Sequence, residues 1–195
     1  MDHPPSRPPP AMHQPRVRPT AWISKGAISR MLLDLGHHDP TETGGVVMGY
    51  WVTDLEVVIT EATSAGPRAG HRGDAYEPDV EHDLQEIARV YAESGRRHTY
   101  LGDWHTHLAA GPGLSRRDRK TLRAIATDKG ARAPVPLMVV VASWDGGVFA
   151  AVWCRPAGAR RTRSFRIKVF EHAMGSSTRS RSATVAIDDA VVGRP

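Results

Sequence analysis

Residues 101–118 read LGDWHTHLAAGPGLSRRD, and the change of pattern within them decides the fold. HTYLGDWHTH (98–107) reads as a strand, AAGPG (109–113) as a loop, and SRRDRKTLRAIATDKG (115–130) as a helix closed by Gly130. A strand has a side-chain period of two, so His105 and His107 share one face at the strand's end. Trp104 points to the opposite face as core, while Asp103 shares the histidine face by parity and reads as a solvent-exposed acid. At the helix start Ser115 and Asp118 form Ser-x-x-Asp, a capping-box variant in which the hydroxyl serves the third amide and the acid complements the helix dipole.

Outward from this unit the chain alternates the helix and strand periods. Ser24 caps a helix whose apolar residues Ile28, Met31, Leu32 and Leu35 fall at i, i+3, i+4 and i+7, with Gly36 at its end. VVMGYWV (46–52) and EVVIT (56–60) read as a hairpin, and their lack of clean alternation suits strands covered on both faces. SAGPRAGHRGD (64–74) reads as a loop, and a helix after Asp79 lines up Val80, Leu84, Ile87 and Tyr91 on one apolar face. VPLMVVVAS (135–143) and VFAAVW (148–153) read as paired strands around an Asp145-Gly146 turn. In RSFRIKVF, Phe165, Ile167 and Val169 alternate with Arg166 and Lys168, the pattern of a half-exposed edge strand. Three helices among roughly six strands predict a mixed α/β (α+β) domain over 20–171, one sheet with helices packed on its faces.

The ends differ from this domain. Seven of the fifteen prolines lie in residues 1–20, so 1–19 reads as an extended tail, and 172–195 as a flexible basic one. The formal charge of +5 belongs to them: residues 1–20 carry three Arg against one Asp, and 155–195 nine Lys/Arg against three acids, which leaves 21–154 at 5 − 2 − 6 = −3. The domain therefore has no excess charge for a phosphate backbone, and any nucleic-acid contact is expected only weakly, through the tails. A secretory run and a membrane-length apolar run are both missing from the sequence, so a cytoplasmic protein with no membrane partner is expected.

One Cys excludes zinc sites built on two or more thiolates, and Cys154 at the end of an apolar strand reads as a buried thiol. His105, His107 and Asp118 offer two imidazoles and a carboxylate, a set that leaves a fourth tetrahedral position open for water. An isolated His-x-His is weak support; the helix-borne Asp118 is what strengthens it. Glu42 in TETGGVVMG stands before two glycines that let the backbone pass something bulky; by this segment alone it reads as a loop acid, one of 21 acidic residues, and only together with the His105–Asp118 motif as a general base outside the metal set. Other metal sites fail on named positions: Ala109 and Ala110 stand where a His-x-His-x-Asp-His hydrolase needs an acid and a His, and no His-Glu-x-x-His is present.

With Glu42, His105-Thr106-His107, seven intervening residues, Ser115 and Asp118 in this order, the sequence resembles the JAMM or MPN-plus (JAB-domain) zinc metalloisopeptidases, in their compact prokaryotic form. The similarity spans about 20–154 and is strongest in ETGGVVMGY and YLGDWHTH; one departure is Leu108, where the family has Pro. The resemblance implies a curved mixed sheet similar to the cytidine-deaminase-like architecture. It also implies one catalytic Zn²⁺ per chain on His105, His107 and Asp118, with Glu42 moving the water's proton and Ser115 helping to stabilise the oxyanion. The implied substrate is the amide after the C-terminal Gly of a ubiquitin-like modifier or its conjugate. The implied setting is a bacterial conjugation system, antiviral in character, with activating and conjugating enzymes as further partners. Trimming of a sulfur-carrier protein or another peptide is the enzymatic alternative, and a basic-tailed nucleic-acid-binding module the non-enzymatic one.

Overall fold

The structure, a computed structural model, describes residues 18–171 apart from Asp145. The rest of both expected tails lies outside the described residues; of the first, Arg18 is exposed and Pro19 buried. The elements run β1 (Thr20–Ser24), α1 (Lys25–His38), β2 (Gly44–Thr53), β3 (Glu56–Ala62), β4 (Gly70–Arg72), β5 (Ala75–Glu77) and α2 (Val80–Glu93). They continue with β6 (Thr99–Leu108), α3 (Arg116–Thr127), β7 (Leu137–Trp144), β8 (Gly147–Cys154), β9 (Arg163–Ser164) and β10 (Arg166–Phe170). Eight strands form one mixed sheet in the order β10-β1-β3-β2-β6-β7-β8-β9, and β4 and β5 form a separate small hairpin. The sheet curves far enough for its two outer strands to be consecutive in the chain. Between them, the Phe165 N–H donates to Val152 C=O on β8 at 3.0 Å and the Arg166 N–H to Pro19 C=O at 2.7 Å.

The main core lies on one side of this sheet, where Ala27, Met31 and Leu35 of α1 meet Val47, Ile59, Leu101, Trp104, Val139 and Phe165. A smaller cluster on the side of α3 joins Leu122 to Leu114, Met138 and Val140. Ser24 caps α1 as expected, its Oγ accepting the Ala27 N–H at 3.0 Å and donating to Thr60 C=O at 2.6 Å. Trp104 is fully buried, with its indole N–H on Thr63 C=O at 2.9 Å. Cys154 is buried in the main core, and burial pushes its thiol up to about 11. Among the described residues, no helix is long and apolar enough to cross a membrane.

Five expectations change. Strand β1 is new: Ala21 and Ile23 face the core and it runs parallel to both β3 and β10, but two inward residues are too short a pattern to read. The 64–74 loop contains β4, which pairs with β5. The segment read as one edge strand is an edge strand with the expected alternation in β10, but it is split over both margins of the sheet, β9 at one and β10 at the other, and Phe165 between them is core. Helix α1 runs on past Gly36 to His38, and α3 stops at Thr127, capped by the Asp128 N–H and not by Gly130. Finally, most of the apolar face of α2 points outward, with Val80 62%, Leu84 61% and Tyr91 41% exposed and Ile87 half-buried, while Asp83 and Val90 are its buried residues. The sheet surface beneath α2 bears Tyr100 and Asp103, so polar groups pack inward there.

Candidate metal centre

The end of β6 and the first turn of α3 build the site. His105 and His107 project from the same face of β6, with Nε2 atoms 3.0 Å apart and rings at 62°. Asp118, at the third position of α3, places Oδ1 3.3 Å from His105 Nε2 and Oδ2 3.4 Å from His107 Nε2. The capping box read from the sequence holds that carboxylate: the Ser115 N–H donates to Asp118 Oδ2 at 2.6 Å and the Asp118 N–H to Ser115 Oγ at 3.1 Å. Four ligands at about 2.0–2.1 Å from a tetrahedral ion stand about 3.3–3.4 Å from one another. The two imidazoles, 3.0 Å apart, and the two carboxylate oxygens, one 3.3 Å from His105 and the other 3.4 Å from His107, lie close to that figure.

The donor chemistry fits as well. His107 Nδ1 lies 3.2 Å from Gly111 C=O, which only accepts, so Nδ1 carries the hydrogen and Nε2 is left to bind. His107 is shifted upward, first by Asp118 against the opposing effect of burial. Burial works against ionised Asp118, yet the two imidazoles and the Ser115 amide hold it well below the usual carboxylate range. Two ring nitrogens and a carboxylate, from three buried residues, thus converge where a cation or a proton must sit between them. Leu108 stays within β6, paired with Ser143, and the chain turns at Ala109 with φ +57.

Glu42 lies just before β2, also buried, and is not one of the convergent three. Burial raises its pKa, and the imidazoles of His107 and His105 pull it back down, so its carboxyl lies within the field of the site. The two glycines after it do what the sequence suggested. A Cβ on Gly44 would stand 2.4 Å from Trp104 O and 2.8 Å from the Tyr76 ring, and one on Gly45 2.6 Å from Thr63 O. Ser115 is exposed at the rim; as a cap acceptor it keeps its own O–H free to donate. The structure therefore places His105, His107 and Asp118 together, sets Glu42 beside them and leaves Ser115 at the helix end.

Asp103 departs from its expected exposure: it is half-buried, accepts the Tyr100 hydroxyl at 2.6 Å, and burial raises its pKa. Facing it under α2, Asp83 is 8% exposed, its Oδ1 has no partner, and burial, then Asp103, push it up to about 6. A carboxyl raised above its unfolded value of 3.8 adds stability below that pH and loses it as pH rises through about 6. Asp83→Asn is accordingly expected to be more stable than wild type at pH 8, by on the order of 2 kcal/mol or several degrees in Tm. The gain should shrink below pH 6 and vanish near pH 4, and thermal melts across that range check it; equal Tm at pH 8 would contradict it. Sequence reasoning also missed His71, whose Nδ1 lies 3.0 Å from Glu42 C=O. No local signal marks that pairing, since 29 residues separate the two.

Fold and site together define a metal-dependent hydrolase, with the metal set and a separate glutamate gathered at a strand end. Residues 24–168 match the family model of the prokaryotic homologs of the JAB domain, and the chain belongs to that family. It is 41% identical over 121 residues to the "Probable metalloprotease y4qB" of Sinorhizobium fredii, covering 62% of this chain and 74% of that one. The solution structure of protein DSY2949 from Desulfitobacterium hafniense shares the fold, with a TM-score of 0.56 at 15% identity over 78% of this chain and 94% of that one.

Proposed function

We propose that this protein is a zinc-dependent peptidase that cleaves the amide bond after the C-terminal Gly of a ubiquitin-like modifier. The bond is a Lys isopeptide in a conjugate or a peptide bond in a precursor. The convergence of His105, His107 and Asp118 within 3.0–3.4 Å, beside a buried glutamate outside the set, carries the reading. All three ligand types suit zinc, which in such a site supplies Lewis acidity and brings the pKa of water from 15.7 to about 7. Glu42 orients the attacking water, takes its proton and passes it to the leaving amine. The Ser115 hydroxyl donates to the oxygen on which negative charge develops. The family and the relative named a metalloprotease support a peptidase; the setting we propose for it, from the sequence resemblance alone, is a bacterial conjugation system, antiviral in kind, with activating and conjugating enzymes as neighbours.

Selectivity is expected to rest on width at the site. A substrate chain that pairs its backbone with a strand is recognised without regard to sequence, so the width beside the loop 108–114 must discriminate. Glycine next to the scissile bond fits, and a β-branched residue collides. Two modifier–peptide fusions that differ only in Gly or Val before the cut should be cleaved at rates at least roughly tenfold apart, and neither should be cleaved once zinc is stripped. Equal cleavage of both would refute the deconjugase reading. Cleavage of the linear fusion with no action on a Lys conjugate would assign the protein to precursor trimming.

A further inference from the structure

Glu42 belongs to no strand, and its backbone is nevertheless fully bonded. Its N–H donates to Arg72 C=O at 2.8 Å, and its C=O lies 3.0 Å from His71 Nδ1, so both bonds come from β4. A carbonyl only accepts, so His71 must present Nδ1–H. The His71 ring is held on two sides: it stacks on His38 with centroids 3.8 Å apart and planes at 14°, and Tyr76 stands tilted 5.9 Å away. His38 ends α1, and the Thr41 N–H donates back to its carbonyl at 2.6 Å, so the chain from His38 to Glu42 is closed into a ring by the imidazole of His71. The next residue is pinned from the other side, with the Thr43 N–H on Thr106 Oγ1 at 2.9 Å and the Thr106 N–H on Thr43 C=O at 2.8 Å. Thr106 lies between the two histidines of the metal set, so the Glu42–Thr43 segment is strung between the small hairpin and the metal strand.

We propose that His71 is a positioning residue for Glu42: its Nδ1–H, held in place by the stack with His38, anchors the main chain from which the general base reaches the site. The proposal rests on the reading of Glu42 as that base. The β4–β5 hairpin then has a defined task. It carries no reacting group, and it sets where the Glu42 carboxyl stands relative to the water it deprotonates. General-base catalysis is sensitive to that placement, because a displacement of about 1 Å can cost 10²-fold in rate. The hydrogen bonds that hold the metal set come from Gly111 and Ser115, outside the hairpin, so the set should fill independently of it.

The test separates the hydrogen bond from the stack. His71→Phe keeps a ring against His38 and removes the donor; His71→Asn restores a donor near the Nδ1 position without the ring. His71→Phe should bind zinc as wild type does and cleave the Gly fusion with kcat lowered about tenfold or more at unchanged KM. In the full-length protein, its Glu42 amide should exchange with deuterium roughly three- to tenfold faster, while the Asp118 amide in the capping box is unaffected. His71→Asn should recover kcat to within about threefold. Combined with Glu42→Gln, His71→Phe should add no further loss, as expected of residues that act as one unit. Wild-type kcat and wild-type Glu42 exchange in His71→Phe would overturn the proposal, as would failure of His71→Asn to recover or full additivity in the double variant. Wild-type turnover in Glu42→Gln would overturn the base assignment instead, and the exchange measurement, which needs no substrate, would still decide whether His71 holds the segment.

Discussion

Protein carrying His105→Ala or His107→Ala is expected to hold less than about a tenth of the zinc of the wild type, which should contain close to one ion per chain, and to lose cleavage altogether. Among the described residues the metal-ligating cluster consists of His105, His107 and Asp118, with one carboxylate oxygen 3.3 Å from His105 Nε2 and the other 3.4 Å from His107 Nε2. Removing one imidazole leaves two protein ligands, too few for retention at neutral pH. The fold should survive the loss, because Trp104, Val139 and the rest of the main core pack on the opposite face of β6. Asp118 also keeps its Ser115 amide. Elemental analysis together with circular dichroism checks both parts. Unchanged zinc in both variants would remove the metal assignment.

Glu42→Gln is expected to keep its zinc and lose about 10²–10⁴ in turnover, the usual worth of a positioned general base. The substitution preserves shape and the backbone bonds to Arg72 and His71, so only the ability to take a proton disappears. Burial raises the Glu42 pKa while His107 and His105 lower it, and that balance suits a group that must both accept and return a proton. Release of zinc by Glu42→Gln would make Glu42 a ligand and exclude it as the base. Zinc content and kcat measured on the same preparation distinguish the two roles.

The metal set of the candidate site was legible in the chain because its parts, unlike Glu42, are local. The shared face of His105 and His107 follows from strand parity, and the presentation of Asp118 from a capping box of four consecutive residues, 115–118; both appear as read. The crowding at Gly44 and Gly45 was readable as a need for close approach, although not that Trp104, Tyr76 and Thr63 would be the neighbours. The apolar face of α2 misled because periodicity reports that a helix is amphipathic and not which side meets the sheet. Tyr100 and Asp103 beneath it reverse the usual orientation, and Asp79, accepting the His82 N–H, sets the helix start.

The helices around Ser24, Asp79 and Ser115, the central strands, the shared face of the two imidazoles and the place of Asp118 in the first turn of its helix were readable from the chain, since all of these follow from periods and caps within about twenty residues, while the meeting of Asp118 with the imidazoles was implied only by the family resemblance. Tertiary structure alone decided the insertion of β1 between β3 and β10, the return of the last strands to both margins of the sheet, and the bonding of Glu42 to His71 across 29 residues. The physical reason is the same in each case. A backbone N–H or C=O carries no sequence label, so which distant segment satisfies it is settled only when the chain has packed and every buried polar group must find a partner.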